Sequence, residues 1–305
     1  MRTVLVTGGN GFIGRYVVEE LALRGYTPAV LDTRYRNADG AQVVLGDTRD
    51  ATAVTEAVAH SDGVIHLAGV LGTQETIKNP LPAAETNVLG GLNVLKACAQ
   101  YDIPLINIAV GNWWMNNTYS ITKNTVERFV EMFARFEGAR MSSVRALNAY
   151  GPRQSVAEPY GPSKVRKVMP SFVCRALDGK PIEIYGDGTQ IMDMIYVEDV
   201  ADVLVSALEW TATNGSVLEP VEAGTGRRTT VNDIAEMVVA QVAEATRQPR
   251  VDIVHLPMRP GETERSIVLG DPATLDRIGF RKSLVPLEIG IERTVRYFQE
   301  YMVNR

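Results

Sequence analysis

Near its amino terminus the chain passes from the apolar run Thr3–Val6 into Thr7-Gly8-Gly9-Asn10-Gly11-Phe12-Ile13-Gly14, and then into an amphipathic pattern over Ile13–Leu23. A strand, a glycine turn and a helix in that order leave few folds open. Glycine permits the tight turn at Gly8 and Gly11 and lets backbone approach a pyrophosphate, while a missing Cβ at Gly14 lets helix and strand pack closely. The helix N-terminus at Phe12 and Ile13 offers unpaired N–H groups and a positive dipole end to phosphates. Asp32 ends the next strand-like run. A carboxylate there binds the adenosine ribose hydroxyls and repels a 2′-phosphate, so NAD is the expected cofactor, with NADP the alternative. Arg34 and Arg36 would suit NADP, but they read better as a solvated loop. Asp47, at the end of the third strand, is a candidate for the adenine amino group and equally for capping the helix after it.

Further strand-like runs at Ala29–Leu31, Val43–Leu45, Gly63–Leu67, Leu105–Val110 and Ser142–Leu147 alternate with helical patterns at Ala51–Val58, about Ala83–Ala99 and Tyr119–Phe136. Continuous β-branched runs separated by helices predict a parallel sheet covered on both faces, a doubly wound Rossmann α/β fold. After Ala149 the texture changes. Residues 151–170 are rich in Gly and Pro with Lys164, Arg166 and Lys167 between them, which predicts an irregular segment bordering a cleft. Later pieces mix helix and strand up to a last helix near Leu287–Tyr301. At 305 residues the chain exceeds a usual single core. The expected division is therefore 1–150 as an NAD-binding domain and 151–305 as a smaller substrate lobe, with some segments returning to the first sheet.

Several function classes fall away. A net charge of −5 gives no footprint for nucleic acid or anionic lipid. Cys98 and Cys174 have no Cys-x-x-Cys spacing, and His60, His66 and His255 have no ligand spacing, so neither disulfide nor metal chemistry is expected. No stretch reaches membrane-spanning length, and Val4–Val6 is too short for a signal peptide. A cytoplasmic location is the expectation.

Tyr119 and Lys123 stand four apart at the start of a predicted helix and project from one face. An ammonium beside a phenol, aided by a nicotinamide's charge, is expected to lower its pKa and make it a usable base. With these residues in place, the chain resembles the extended short-chain dehydrogenase/reductase family, the nucleotide-sugar epimerases and dehydratases. The resemblance runs through Val64-Ile65-His66-Leu67-Ala68, Asn87-Val88, Asn148-Ala149-Tyr150-Gly151-Pro152-Arg153, Tyr185-Gly186-Asp187-Gly188-Thr189-Gln190, Tyr196-Val197-Glu198-Asp199 and Arg259-Pro260-Gly261-Glu262. It implies that Ala68 and Gly69 line the dinucleotide groove and that Lys123 holds the nicotinamide ribose and tunes Tyr119. It further implies that Asn148 faces the substrate, and that Gly186–Gln190 and Arg259 lie against the nucleotide of a sugar-nucleotide. Asn87 either ties its helix to the sheet or touches a ligand. A homodimer is the expected assembly.

The sequence departs from the family twice. Members carry Ser or Thr just after the fifth strand, whereas here the stretch is Ala109-Val110-Gly111-Asn112-Trp113-Trp114, and the connection to Tyr119 is short. Asn112 and Thr118 are the candidates to replace the hydroxyl. Trp113 and Trp114 either cover the substrate or stack on a ring, with at least one of them expected inside. The acid/base motifs of dehydratases and decarboxylases are also absent. The family's diphosphate-binding Arg is Met192 here, and a thioether cannot donate to phosphate. Arg153, Lys164, Arg166, Lys167, Arg227 and Arg259 are the candidate replacements. The leading expectation is an epimerase in which Tyr119, as phenolate, takes a hydroxyl proton while hydride passes to NAD and returns to the other face. A dehydrogenase or reductase comes second, and a non-catalytic NAD(P) sensor third.

Overall fold

The computed structural model describes residues 1–35 and 41–303; Arg36 lies outside the described residues. In chain order come β1 (Thr3–Thr7), α1 (Phe12–Leu23), β2 (Thr27–Asp32), β3 (Gln42–Leu45), α2 (Ala51–Ala59) and β4 (Gly63–His66). A helical stretch follows in three pieces: α3 (Leu81–Ala83), a π-helical segment (Ala84–Leu89) and α4 (Gly90–Tyr101). Then come β5 (Leu105–Val110), α5 (Thr118–Phe136), β6 (Met141–Ala146), β7 (Asn148–Tyr150), α6 (Val168–Leu177), β8 (Ile182–Tyr185), β9 (Ile191–Met192) and β10 (Met194–Tyr196). The chain closes with α7 (Val197–Asn214), β11 (Val221–Ala223), α8 (Val231–Thr246), β12 (Ile253–Leu256), β13 (Ile267–Val268), a 3₁₀ segment (Pro272–Ile278) and α9 (Leu287–Val303).

Seven strands form one sheet in the order β3-β2-β1-β4-β5-β6-β11, and every pairing is parallel. This is the Rossmann α/β architecture expected from the sequence, extended by β11 from the second half of the chain. Its central strands are apolar on both sides because helices cover both faces; every residue of Leu105–Val110 is buried. Tyr16, Val17 and Leu21 of α1 meet Val200, Leu204 and Leu208 of α7 on one face. Val54, Val94, Leu95, Val126 and Val130 pack on the other. Each such side chain stabilises the fold by about 1.5–3 kcal/mol. A third core, with Phe172, Val173, Ile234, Val238, Ile291 and Phe298, joins α6, α8 and α9 outside the sheet.

Two side chains fix loops that the helices and strands alone would leave free. Asn87, in the π-helical segment, accepts from the Val70 N–H (2.7 Å) and donates to the Val70 carbonyl (3.1 Å) and to Thr122 Oγ1 (2.9 Å). It ties its helix to the loop after β4 and to α5. Asp193, fully buried between β9 and β10, accepts from the backbone of Thr225, Gly226 and Gly270. It holds two segments of the second half against the end of the sheet. The strand order reverses between β1 and β4, and a crevice opens outside their carboxyl ends.

Candidate active site

A cleft of about 710 Å³ occupies that crevice and continues between the sheet and the second half of the chain. At the sheet end it is lined by Gly8, Gly11, Phe12, Ile13, Gly14, Asp32, Asp47, Ala68 and Gly69, so the candidate cofactor residues lie together. The glycines are there for space. A Cβ on Gly14 would sit 2.4 Å from the Gly8 carbonyl oxygen, and one on Gly8, where φ is +71°, 2.8 Å from the Ala68 nitrogen. Helix α1 starts at Gly11 without a side-chain cap, which leaves its first N–H groups to the cleft. Asp32 is positioned by accepting from the N–H groups of Asn10 (3.1 Å) and Arg34 (3.0 Å). The Arg34 side chain, 77% exposed, lines the same cleft beside Asp32. An uncapped helix start and a fixed carboxylate at the end of β2 fit the pyrophosphate and the adenosine ribose of a dinucleotide.

Asp47 does not cap α2. Asp50 does, accepting from Thr52 and Ala53 N–H. The Asp47 carboxylate is instead gripped by Arg49, from its backbone N–H at 2.9 Å and its Nη2 at 2.7 Å, and the Arg49 side-chain bonds hold it below the usual carboxylate range. It faces the cleft already paired.

Helix α5 brings Tyr119 and Lys123 to the cleft, beside Asn112 and Met115 of the short loop after β5. Asn117 caps this helix by accepting from Ser120 N–H. The electrostatics differ from expectation. Burial pushes the Tyr119 phenol up to about 12, and no opposing charge outweighs it. The same burial pushes the Lys123 ammonium down to about 8, opposed by Glu127. Desolvation of the charged form therefore overrides the ammonium–phenol attraction in the protein alone. Behind Lys123, His66 shares a 2.7 Å bond with Thr7 Oγ1, and burial followed by the Lys123 charge pushes it down to about 3, so it stays neutral.

Several sequence candidates stand elsewhere. The Thr118 hydroxyl donates to the Thr76 carbonyl at 3.0 Å and does not line the cleft, so it cannot replace the missing Ser/Thr. Asn112 does line it, its amide 3.4 Å from Met115 Sδ. Trp113 is outside the cleft, 41% exposed, with the Arg145 guanidinium 4.9 Å over its ring; Trp114 is 40% exposed. Neither tryptophan is packed inside: Trp113 lies at the surface against Arg145. Arg153 is likewise outside, gripped by both oxygens of Glu19 and stacked 4.1 Å over Tyr16 of α1.

The second half supplies the far wall. Asn148 reaches the cleft with its amide donating to the Asp193 carbonyl at 3.0 Å. Of the Gly186–Gln190 block only Gln190 lines the cleft; Gly188 instead packs against Asn232. Among the candidate replacements for the family arginine, Arg166, Lys167 and Arg259 line the cleft, whereas Lys164 and Arg227 do not. Arg259 pairs with Glu262 and stacks 4.7 Å from the Tyr185 ring, which leaves its buried Nε without a partner. Gln190 Oε1 is likewise buried and unpartnered. Such orphans in a lined cleft suit a polar ligand. Met169, Met194 and Met258 complete this wall with Tyr185 of the Tyr185–Gln190 motif, and no local sequence signal marks the three methionines for it. Only the folded chain gathers them, from separate strands, a helix and a loop.

The model of the NAD dependent epimerase/dehydratase family matches residues 4–218. The UDP-glucose 4-epimerase of Thermus thermophilus, solved in complex with NAD, is 31% identical, with 97% of this chain and 99% of that chain covered and a TM-score of 0.81. The UDP-glucose 4-epimerase of Thermotoga maritima, solved with UDP-glucose, is 28% identical over 98% of this chain and 99% of that one, with a TM-score of 0.84. A dTDP-glucose 4,6-dehydratase of Mycolicibacterium smegmatis is 27% identical over 97% of this chain and 93% of that protein. No helix among the described residues is long and apolar enough to cross a membrane.

Proposed function

The chain belongs to the NAD dependent epimerase/dehydratase family, and we propose that within it this NAD-dependent enzyme epimerises a nucleotide-sugar through a transient keto-sugar. The observation that carries this reading is one continuous cleft shared by the glycine cradle, by Tyr119 and Lys123, and by the cationic wall of Arg166, Lys167 and Arg259. Residues 1–150 would mainly hold NAD, and residues 151–305 mainly the sugar-nucleotide.

NAD, when bound, supplies a hydride acceptor and donor and a positively charged ring. The chain supplies placement and proton handling. The N–H groups at the start of α1 would face the pyrophosphate, and Asp32 the adenosine ribose. Lys123 would hold the nicotinamide ribose. Tyr119 would exchange a proton with the sugar hydroxyl; with its phenol pushed up to about 12, it needs both Lys123 and the ring to be charged before it acts as a base near neutrality. Asn112 would donate to the reacting oxygen in place of the missing hydroxyl. Arg166, Lys167 and Arg259 would take the diphosphate that Met192 cannot bind.

Epimerisation is favoured over dehydration because elimination needs a further acid/base pair. The loop residues after β5 that face the cleft, Gly111, Asn112 and Met115, carry no acid. Three other carboxylates reach the cleft beyond the cofactor end: Glu183 and Glu262 are paired with Arg166 and Arg259, and Glu75, on the loop after β4, faces the Lys167 charge. The test is to incubate the purified protein with UDP-glucose and no added cofactor and follow the 4-epimer by NMR. Tyr119→Phe should slow turnover by about 10²–10⁴-fold with NAD affinity nearly unchanged. Stoichiometric build-up of reduced cofactor without an epimer would replace the epimerase reading with a dehydrogenase.

A further inference from the structure

Tyr119, Lys123 and Glu127 follow one another at four-residue spacing and so form one row along α5. Lys123 and Glu127 are 4% and 7% exposed. The Glu127 carboxylate is held at both oxygens by Arg145 of β6: Nε donates to Oε2 at 2.9 Å and Nη2 to Oε1 at 2.6 Å. Arg145 also donates to Glu222 of β11 at 3.2 Å and lies over the Trp113 ring. None of Glu127, Arg145 and Trp113 lines the cleft, so this network stands one turn along α5 from Lys123 and outside the cleft. We propose that Glu127, fixed by Arg145, is a positioning residue that keeps the Lys123 ammonium charged and directed at the cofactor. The proposal rests on the reading of Lys123 as the group that holds the nicotinamide ribose.

A buried ammonium without a nearby anion gives up its proton, because desolvation penalises the charged form. The groups facing Lys123 identify its counter-charge. From α5 these are Tyr119, a neutral phenol, and Glu127. From β4 comes His66, which is neutral, and in register beside it β5 presents the neutral Asn107. Arg145 of β6 stands one step further away, its charge shared between Glu127 and Glu222. Lys123, Glu127, Arg145 and Glu222 thus alternate in sign, and among the described residues Glu127 is the anion that raises Lys123. Trp113 and Asn112 belong to one short loop, so the same Arg145 contact also steadies the segment that carries Asn112 to the cleft.

The test uses NAD-stripped full-length protein and the pH dependence of NAD affinity, measured by calorimetry. Lys123 loses its charge as pH rises through about 8, so wild-type affinity should fall across that range. Glu127→Gln removes the anion that raises the lysine, and the fall should move to lower pH by about one unit. Glu127→Asp keeps the charge and should keep the wild-type midpoint. If Glu127→Gln does not fold, the Glu127→Gln/Arg145→Met double variant replaces both charges and should shift the midpoint in the same direction. An unmoved midpoint in the Gln variants, or an equal shift in Glu127→Asp, would overturn the proposal and leave the proposed function standing. Failure of the wild type to bind NAD at any pH would sink both.

Discussion

The two ends of the cleft are built from different materials. At the end near β1 and α1 the wall is backbone: three glycines, a helix start without a cap and one fixed carboxylate, Asp32. At the other end it is side chain, with Arg166, Lys167 and Arg259 among the thioethers of Met169, Met192, Met194 and Met258. A backbone cradle admits one ligand shape, since a single Cβ would collide with main-chain atoms. A wall of flexible cations and methionines adapts to more than one. The contrast matches one shared cofactor and a family that takes different sugar-nucleotides.

The sharpest way to break the contrast is at Gly14. Gly14→Val places a side chain 2.4 Å from a carbonyl that cannot move without opening the turn. Overpacking of this kind costs about 1–3 kcal/mol, so the melting temperature should drop and NAD affinity should fall by up to about 100-fold. Near-normal NAD binding would mean that the cradle is not rigid. The side-chain end should respond differently. Arg259→Met loses a charged donor, typically about 1.5–3 kcal/mol; KM for the sugar-nucleotide should rise about 10–100-fold while calorimetry gives an unchanged NAD affinity. A matching loss of NAD affinity would show that the two ends are not separate. The smallest effect is expected at Asp32. Asp32→Ala should narrow the preference for NAD over NADP by about tenfold, and tighter NADP binding by the wild type would reverse the cofactor assignment.

The same contrast explains what can be read from the sequence. The β1–α1 turn is legible because its constraint is local: glycines that must lie between a strand and a helix have no other use there. The alternation of apolar runs points to the parallel sheet for the same reason. Candidates chosen by residue type alone are less secure. Arg153 stands in a family motif, yet Glu19 and Tyr16 hold it on α1. Thr118 adjoins Tyr119, yet its hydroxyl is committed to Thr76. Trp113 sits where a substrate contact is expected, but it stacks on Arg145. The Tyr119 phenol shifts in the direction opposite to the one its helix neighbour suggests, because burial by residues from across the chain penalises the phenolate.

The sequence alone determined the Rossmann alternation of strands and helices, the glycine turn between β1 and α1, and the spacing that sets Tyr119 and Lys123 on one helical face. All of these depend on residues close together in the chain, where spacing fixes geometry. Only the tertiary structure decided that β11 from the second half would complete the sheet, that Asp193 would gather two distant loops, and which of six basic residues would face the cleft. It also set Arg145 of β6 against Glu127. Long, charged side chains can reach many partners, and which one they take depends on packing between segments far apart in sequence, which spacing along the chain does not encode.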